Sequence, residues 1–278
     1  MTVTQAASII GALAERRTVN AGAMIVVAHP DDETIGMGAQ LSRFEDALLV
    51  LVTDGAPRDG RDAAAHGFAT VAEYASARRE ELAAALRAGE ARGIKTDIIG
   101  IPDQETHLNL SALIIELFAR LQSECPEVVF VQPYEGGHPD HDAASFAVNV
   151  ACRLGKGQGR PLPAIVEMTA YHAQGDGLET GNFLSGPRPL TTLTLDAQER
   201  LRKRRMIDCF VSQRELLAAF GTETERFREA PDYDFTQPPH QGELHYERLG
   251  WNITGALWRR HARATLDSFG LDSGSGWD

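Results

Sequence analysis

The chain has 278 residues, 43% hydrophobic and 24% charged, the balance of an ordinary globular protein long enough to bury a substantial core. Its formal net charge of −12 excludes a broad surface of clustered Lys and Arg, and with it a nucleic-acid partner. No apolar stretch approaches the roughly 18 residues a membrane span requires, which excludes a membrane partner.

In chain order, residues 1–17 (MTVTQAASIIGALAERR) read as an amphipathic lead-in helix, interrupted by Glu15. Met24 to Ala28 is a compact buried-strand candidate, and Ala47 to Val52 is the next, ending in Thr53-Asp54-Gly55. Met37 to Asp46 between them is expected to be the crossover helix. Thr70 to Ala91 is rich in Ala, Glu, Arg and Leu at helical spacing, with Gly93 standing where a helix end would want it. A strand at Asp97–Ile101, a helix near Ser111–Ser123, a strand at Val128–Val131, a helix at Ala143–Leu154 and a strand at Ala164–Ala170 follow.

Gly155 to Gly159 and Gly175 to Pro189 are loop compositions, the second long enough for a lid. Leu201 to Phe220 reads as one strong helix, and Arg202-Lys203-Arg204-Arg205 within it as a solvated face. Pro231 to Tyr246 carries too many prolines for regular structure, and Trp251 to Leu266 closes the chain with a helix. Strands alternating with helices imply an α/β fold around a mostly parallel sheet. We expect a single domain over residues 1–278, with a core at about 22–200 and a C-terminal helical extension at about 201–278. Cys125, Cys152 and Cys209 are odd in number and widely spaced, which suits a reducing cytoplasm better than a disulfide framework.

Two polar motifs stand at strand ends. Ala28-His29-Pro30-Asp31-Asp32-Glu33 follows the first strand, and Gly136-Gly137-His138-Pro139-Asp140-His141-Asp142 follows the strand at Val128. Both should reach the carboxyl edge of the sheet, where open α/β folds bind ligands. Each alone reads as a helix-capping turn. Together they offer imidazoles and carboxylates in the numbers a catalytic zinc needs, three ligands with one position left for water. A dinucleotide site competes for this edge, but Gly36 and Gly38 lack a third glycine partner. Asp31, Asp32 and Glu33 would also repel a pyrophosphate.

AHPDDE and HPDH, with Arg78-Arg79-Glu80-Glu81 between them, resemble the PIG-L/LmbE-like family of zinc-dependent N-acetylglucosamine deacetylases. The resemblance spans about Met24 to Leu154 and implies a Rossmann-like sheet. It implies that His29, Asp32 and His141 hold one zinc per chain, with Fe2+ or Co2+ as possible substitutes. By the same resemblance Asp31 is the general base. His138 stabilises the oxyanion or protonates the leaving amine, and Asp140 orients His138 and raises its pKa. Arg78, or its neighbour Arg79, and Asp103 would contact substrate; Gln104 stands where the family places an arginine. Tyr134 is placed at the pocket wall. Of the remaining histidines, only His172 lies where a pocket could reach.

The implied partner is a small amino-sugar substrate, and a homo-oligomer is compatible with the sequence. An amide hydrolase tailoring a natural product is the alternative on the same scaffold, with residues 175–189 and 231–246 shaping a larger pocket. A non-catalytic sugar- or metal-binding module is disfavoured, because Asp31 and His138 are both present.

Overall fold

A computed structural model of the chain describes residues 4–159 and 161–272. Helix α1 (Gln5–Ala14) starts at Thr4, whose hydroxyl accepts the Ala7 amide at 3.2 Å; residues 1–3 of the expected lead-in helix lie outside the described residues. There follow β1 (Ala23–Val27), α2 (Asp32–Met37), β2 (Ala47–Thr53), α3 (Arg61–Ala65), α4 (Val71–Ala88), β3 (Ile94–Ile101) and α5 (Leu110–Glu124). Next come β4 (Val128–Val131), α6 (Pro139–Gly157), β5 (Ala164–Met168), β6 (Tyr171–Gln174), β7 (Gly177–Thr180) and β8 (Thr191–Thr194). The described chain ends with α7 (Ala197–Ile207), α8 (Arg214–Leu217), β9 (Thr224–Glu229) and α9 (Gly255–Ser268). No helix among the described residues is long and apolar enough to cross a membrane.

The main sheet has seven strands in the order β3-β2-β1-β4-β5-β9-β8. β1 to β5 run parallel, whereas β9 pairs antiparallel with both β5 and β8. Alternate strand residues face opposite sides. Ile25, Leu49 and Phe130 join the cluster under α1, α4 and α7, while Met24, Val50 and Val129 join the one under α5, α6 and α9. Burial on both faces is why these strands are written as unbroken apolar runs. The chain leaves β1 in one direction to form β2 and β3, and returns on its other side as β4. β1 and β4 therefore flank the point where strand order reverses, and their carboxyl ends open one crevice.

Several expected elements differ. The crossover after β1 is not a helix at 37–46: α2 begins inside the first motif, at Asp32, and only a short 3-10 turn at Leu41–Arg43 follows it. α4 carries a capping box between Thr70 and Glu73 but stops at Ala88, not near Gly93. Glu90 takes a left-handed φ of 55°, and the Ala91 amide closes back on the Leu86 carbonyl at 3.0 Å. α6 likewise begins earlier than expected and continues through Gly157, into the run expected as loop. The first six residues of the expected 175–189 loop belong to a hairpin of β6 and β7, with Tyr171 opposite Thr180.

The stretch 201–220 is not one helix. α7 ends at Ile207, and the chain turns so that Phe210, Leu217 and Phe220 all enter the core. Nor is Arg202–Arg205 a solvated face throughout. Lys203 is fully buried, its Nζ donating to the Ile35 carbonyl at 2.8 Å and to Glu225 Oε1 at 2.9 Å. β9 was not expected because its buried residues include charges satisfied in pairs, Glu225 with Lys203 and Arg228 with Glu167, and β8, with only Leu193 buried, pairs with it at the sheet edge. The region beyond residue 200 thus returns a strand to the sheet in addition to its helices.

Candidate active site

At the end of β1 the chain turns through His29 and Pro30 into Asp31, whose φ of 137° is one a non-glycine residue seldom adopts. The Thr34 and Ile35 amides donate to the Asp31 carbonyl at 2.9 and 3.0 Å, so its backbone opens α2 while its side chain stays free of capping. That side chain accepts from Arg78 Nη2 at 3.2 Å. Gly55 makes the approach possible, since a Cβ there would lie 3.0 Å from Arg78 Nε and 2.9 Å from Pro30. Asp32 points the other way. Its Oδ2 accepts the His29 amide at 2.7 Å and lies 3.3 Å from His29 Nδ1, and its Oδ1 lies 3.1 Å from His141 Nε2.

The two neighbours have opposite electrostatics. Burial pushes the Asp31 carboxyl up to about 6, with Arg78 opposing. Burial works the same way on Asp32, but His141 and His29 outweigh it and hold Asp32 well below the usual carboxylate range. Glu33, also buried, is pushed up to about 8 and accepts the Asp31 amide at 3.1 Å.

At the end of β4 the second motif becomes the first turn of α6, with His138 at the cap and Pro139 at the first helical position. Gly137 is packed so closely that a Cβ would lie 1.9 Å from the Tyr171 carbonyl oxygen. Asp142, which burial pushes well above the usual range, accepts the Gly136 and Glu135 amides at 3.0 and 3.2 Å and so fixes the loop ahead of the helix. The Asp140 amide donates to His138 Nδ1 at 3.1 Å, which leaves the proton of neutral His138 on Nε2. Burial, with the charge of His29, holds His138 well below the usual histidine range.

Asp140 does not serve His138 in the manner the sequence implies. Its carboxylate lies 3.3 Å from His29 Nε2 and 3.9 Å from His138 Nδ1. It also accepts the Gln104 amide at 2.7 Å and the Thr106 hydroxyl. It therefore orients His29, and its influence on His138 runs through its backbone amide. Asp103, after β3, lies 3.1 Å from His29 Nε2 and 3.9 Å from His138 Nε2. Gln104 takes a left-handed φ of 69°, contributing its backbone to the Asp140 cradle while its side chain lines the cavity.

His29, Asp32 and His141 offer ligand atoms within 4.8 Å of one another, all three residues buried. His141 Nδ1 is buried without a hydrogen-bond partner, and Nε2 faces only the Asp32 carboxylate at 3.1 Å, which fits a shared cation. Two imidazoles and a carboxylate suit zinc. A second group, His29, Asp103, His138 and Asp140, shares His29 with the first.

These residues floor a cavity of about 220 Å³ that Arg78, Asp103 and Gln104 also line. Tyr134 is not among the lining residues. It is buried against Phe235 and Trp258, and its hydroxyl donates to the Gln237 carbonyl at 2.8 Å. His172 is also elsewhere, 3.4 Å from Glu135 in a buried network with Arg228 and Glu167. The residues that sequence reasoning missed come from beyond the motifs: Leu216, Leu217 and Phe220 around α8, and His245, Leu249 and Trp251 before α9. Residues 175–189 do not line the cavity, and of 231–246 only His245 does. No motif marks these positions, because only the return of the chain over the sheet edge brings them there.

Residues 24–152 match the family model PIG-L, described as GlcNAc-PI de-N-acetylase. The match takes in less than half of the chain, and over it this segment is similar to the PIG-L family. A Saccharopolyspora erythraea protein, 1D-myo-inositol 2-acetamido-2-deoxy-alpha-D-glucopyranoside deacetylase 2, is 33% identical over 152 residues, which cover 46% of this chain and 55% of that protein. The chain thus spans about half the length of this curated relative. Among solved structures, the A40926 pseudoaglycone deacetylase Dbv21 aligns with a TM-score of 0.55 at 19% identity, covering 74% of this chain and 96% of that one. The zinc-inhibited form of teicoplanin deacetylase Orf2 aligns with a TM-score of 0.52 at 14% identity, covering 76% and 100%. At such identities these two show the fold alone.

Proposed function

We propose that this protein is a zinc-dependent N-deacetylase that removes acetyl from an amino-sugar small molecule, releasing acetate and a free amine. The observation that carries the reading is the buried set His29, Asp32 and His141 beside a separate carboxylate, Asp31, whose pKa is raised to about 6. Similarity to the Saccharopolyspora erythraea deacetylase supports the sugar. The donor set favours one zinc per chain, with Fe2+ or Co2+ as substitutes. Three free cysteines support a reducing, cytoplasmic setting.

When bound, the metal supplies Lewis-acid polarisation of the amide carbonyl and lowers the pKa of water in the site. Asp31 accepts the proton as water attacks the carbonyl carbon. A carboxylate with a pKa near 6 is a competent base at neutral pH, and once protonated it returns that proton to the departing nitrogen. His138, neutral with its proton on Nε2, donates a hydrogen bond to the oxygen that gains charge. Asp140 holds His29, and Arg78 holds Asp31 and, with Asp103, faces sugar hydroxyls.

Asp31→Asn should lower kcat by at least about a thousandfold, a range reached when a base and proton carrier is lost, while zinc content stays near that of the parent protein. His141→Ala should lose both activity and metal. Amine release from N-acetylglucosamine glycosides and elemental analysis measure the two. An Asp31→Asn variant with undiminished kcat would overturn the assignment.

A further inference from the structure

The cavity walls differ in chemistry. On one side stand Arg78, Asp103 and Gln104, suited to hydroxyls. Elsewhere in the lining, Leu217 and Phe220 are buried, and Tyr171 packs edge-on against Phe220 at 6.1 Å and against His141 at 5.0 Å between centroids. At the rim, Leu216 and Leu249 are 40% and 45% exposed, and Trp251 is half-buried edge-on to His138 at 4.8 Å. Large apolar side chains at the mouth of a polar cavity lose free energy to water unless something covers them.

We propose that Leu216, Leu249 and Trp251 form a subsite for an apolar aglycone, aliphatic or aromatic, carried by the amino sugar. The inference rests on the deacetylase reading. A cavity of about 220 Å³ holds a single sugar ring with its acetamide, so any further part of the substrate must leave by the rim. The acetamide must reach His29, Asp31, Asp32 and His141, all of them buried, whereas Leu216 and Leu249 are the exposed end of the lining. With the acetamide inward, the part of the substrate farthest from it, the group attached to the sugar, is the one that reaches Leu216 and Leu249. Both residues lie outside the segment 24–152 that matches the PIG-L family model, so this preference belongs to the C-terminal part of the chain.

The test compares methyl, hexyl and phenyl glycosides of N-acetylglucosamine as substrates of the zinc-loaded protein, with calorimetric binding in parallel. KM and Kd for the hexyl and phenyl compounds should be about tenfold below those for the methyl glycoside, the effect of burying roughly two methylene groups. Leu216→Ser with Leu249→Ser should shrink that ratio to near one, whereas Leu190→Ser, at an exposed leucine outside the cavity, should not change it. Ratios within twofold for the unmutated protein, or a ratio that survives the double substitution, would overturn the subsite. If none of the glycosides is turned over, the deacetylase reading fails, and the calorimetric ratio still decides the subsite.

Discussion

Asp31 and Asp32 adjoin in sequence, yet one is aimed at Arg78 and the other at two imidazoles, because the φ of 137° at Asp31 turns the chain between them. His29 is gripped still more firmly. Burial opposes its charge, but Asp103, Asp140 and Asp32 outweigh burial and hold the imidazole well above the usual histidine range. Without a cation His29 therefore keeps a proton on each ring nitrogen at neutral pH, and metal uptake must expel one. Zinc affinity should rise with pH through the neutral range and fall as the medium is acidified. Chelator competition at pH 6 and pH 8 should give at least about tenfold tighter binding at pH 8, one proton's worth over that interval being the upper range. That His29, Asp32 and His141 come together was legible in the sequence because both motifs sit at strand ends. The role of Asp140 was not, since which way it faces depends on α6 starting at Pro139, a boundary that no periodicity reveals.

Among the elements, β9 and α7 depend on one buried ion pair. Lys203 and Glu225 are both inaccessible, and Glu225 also accepts the Ala39 amide at 2.9 Å and Gln40 Nε2 at 3.0 Å. Lys203→Met leaves that carboxylate uncompensated and should destabilise the protein by about 3–5 kcal/mol, read from urea unfolding. Adding Glu225→Gln should restore a large part of the loss, because the neutral amide needs no counter-charge. Such pairs explain why the parallel strands were legible and β9 was not. Val128–Val131 is apolar throughout, whereas Thr224–Glu229 alternates charges that look solvent-facing until their partners are known. The single helix expected at 201–220 fails for a related reason. Helical spacing continues through Phe210, but the core draws that ring inward and the chain turns.

Across the whole molecule, residues 24–152 supply the proposed chemistry and the remainder completes the walls of the cavity. A chain ending at residue 200 would lose α7, α8, β9 and α9, exposing the edge of β5 at Val166–Met168 and removing Leu217 and Phe220. It should show no cooperative thermal transition, measured by circular dichroism, despite retaining every residue of both motifs. The order of strands has one more consequence. β1 and β4 are adjacent in the sheet, with Val26 opposite Val131, although the whole β2–β3 excursion separates them along the chain. A cation shared by His29 and His141 would bridge the tips of these two strands as a clasp, closing a long loop and opposing any parting of the sheet along that seam. Amide hydrogen exchange in Ala23–Val27 and Val128–Val131 should slow on zinc addition by more than exchange at the distant β8 edge.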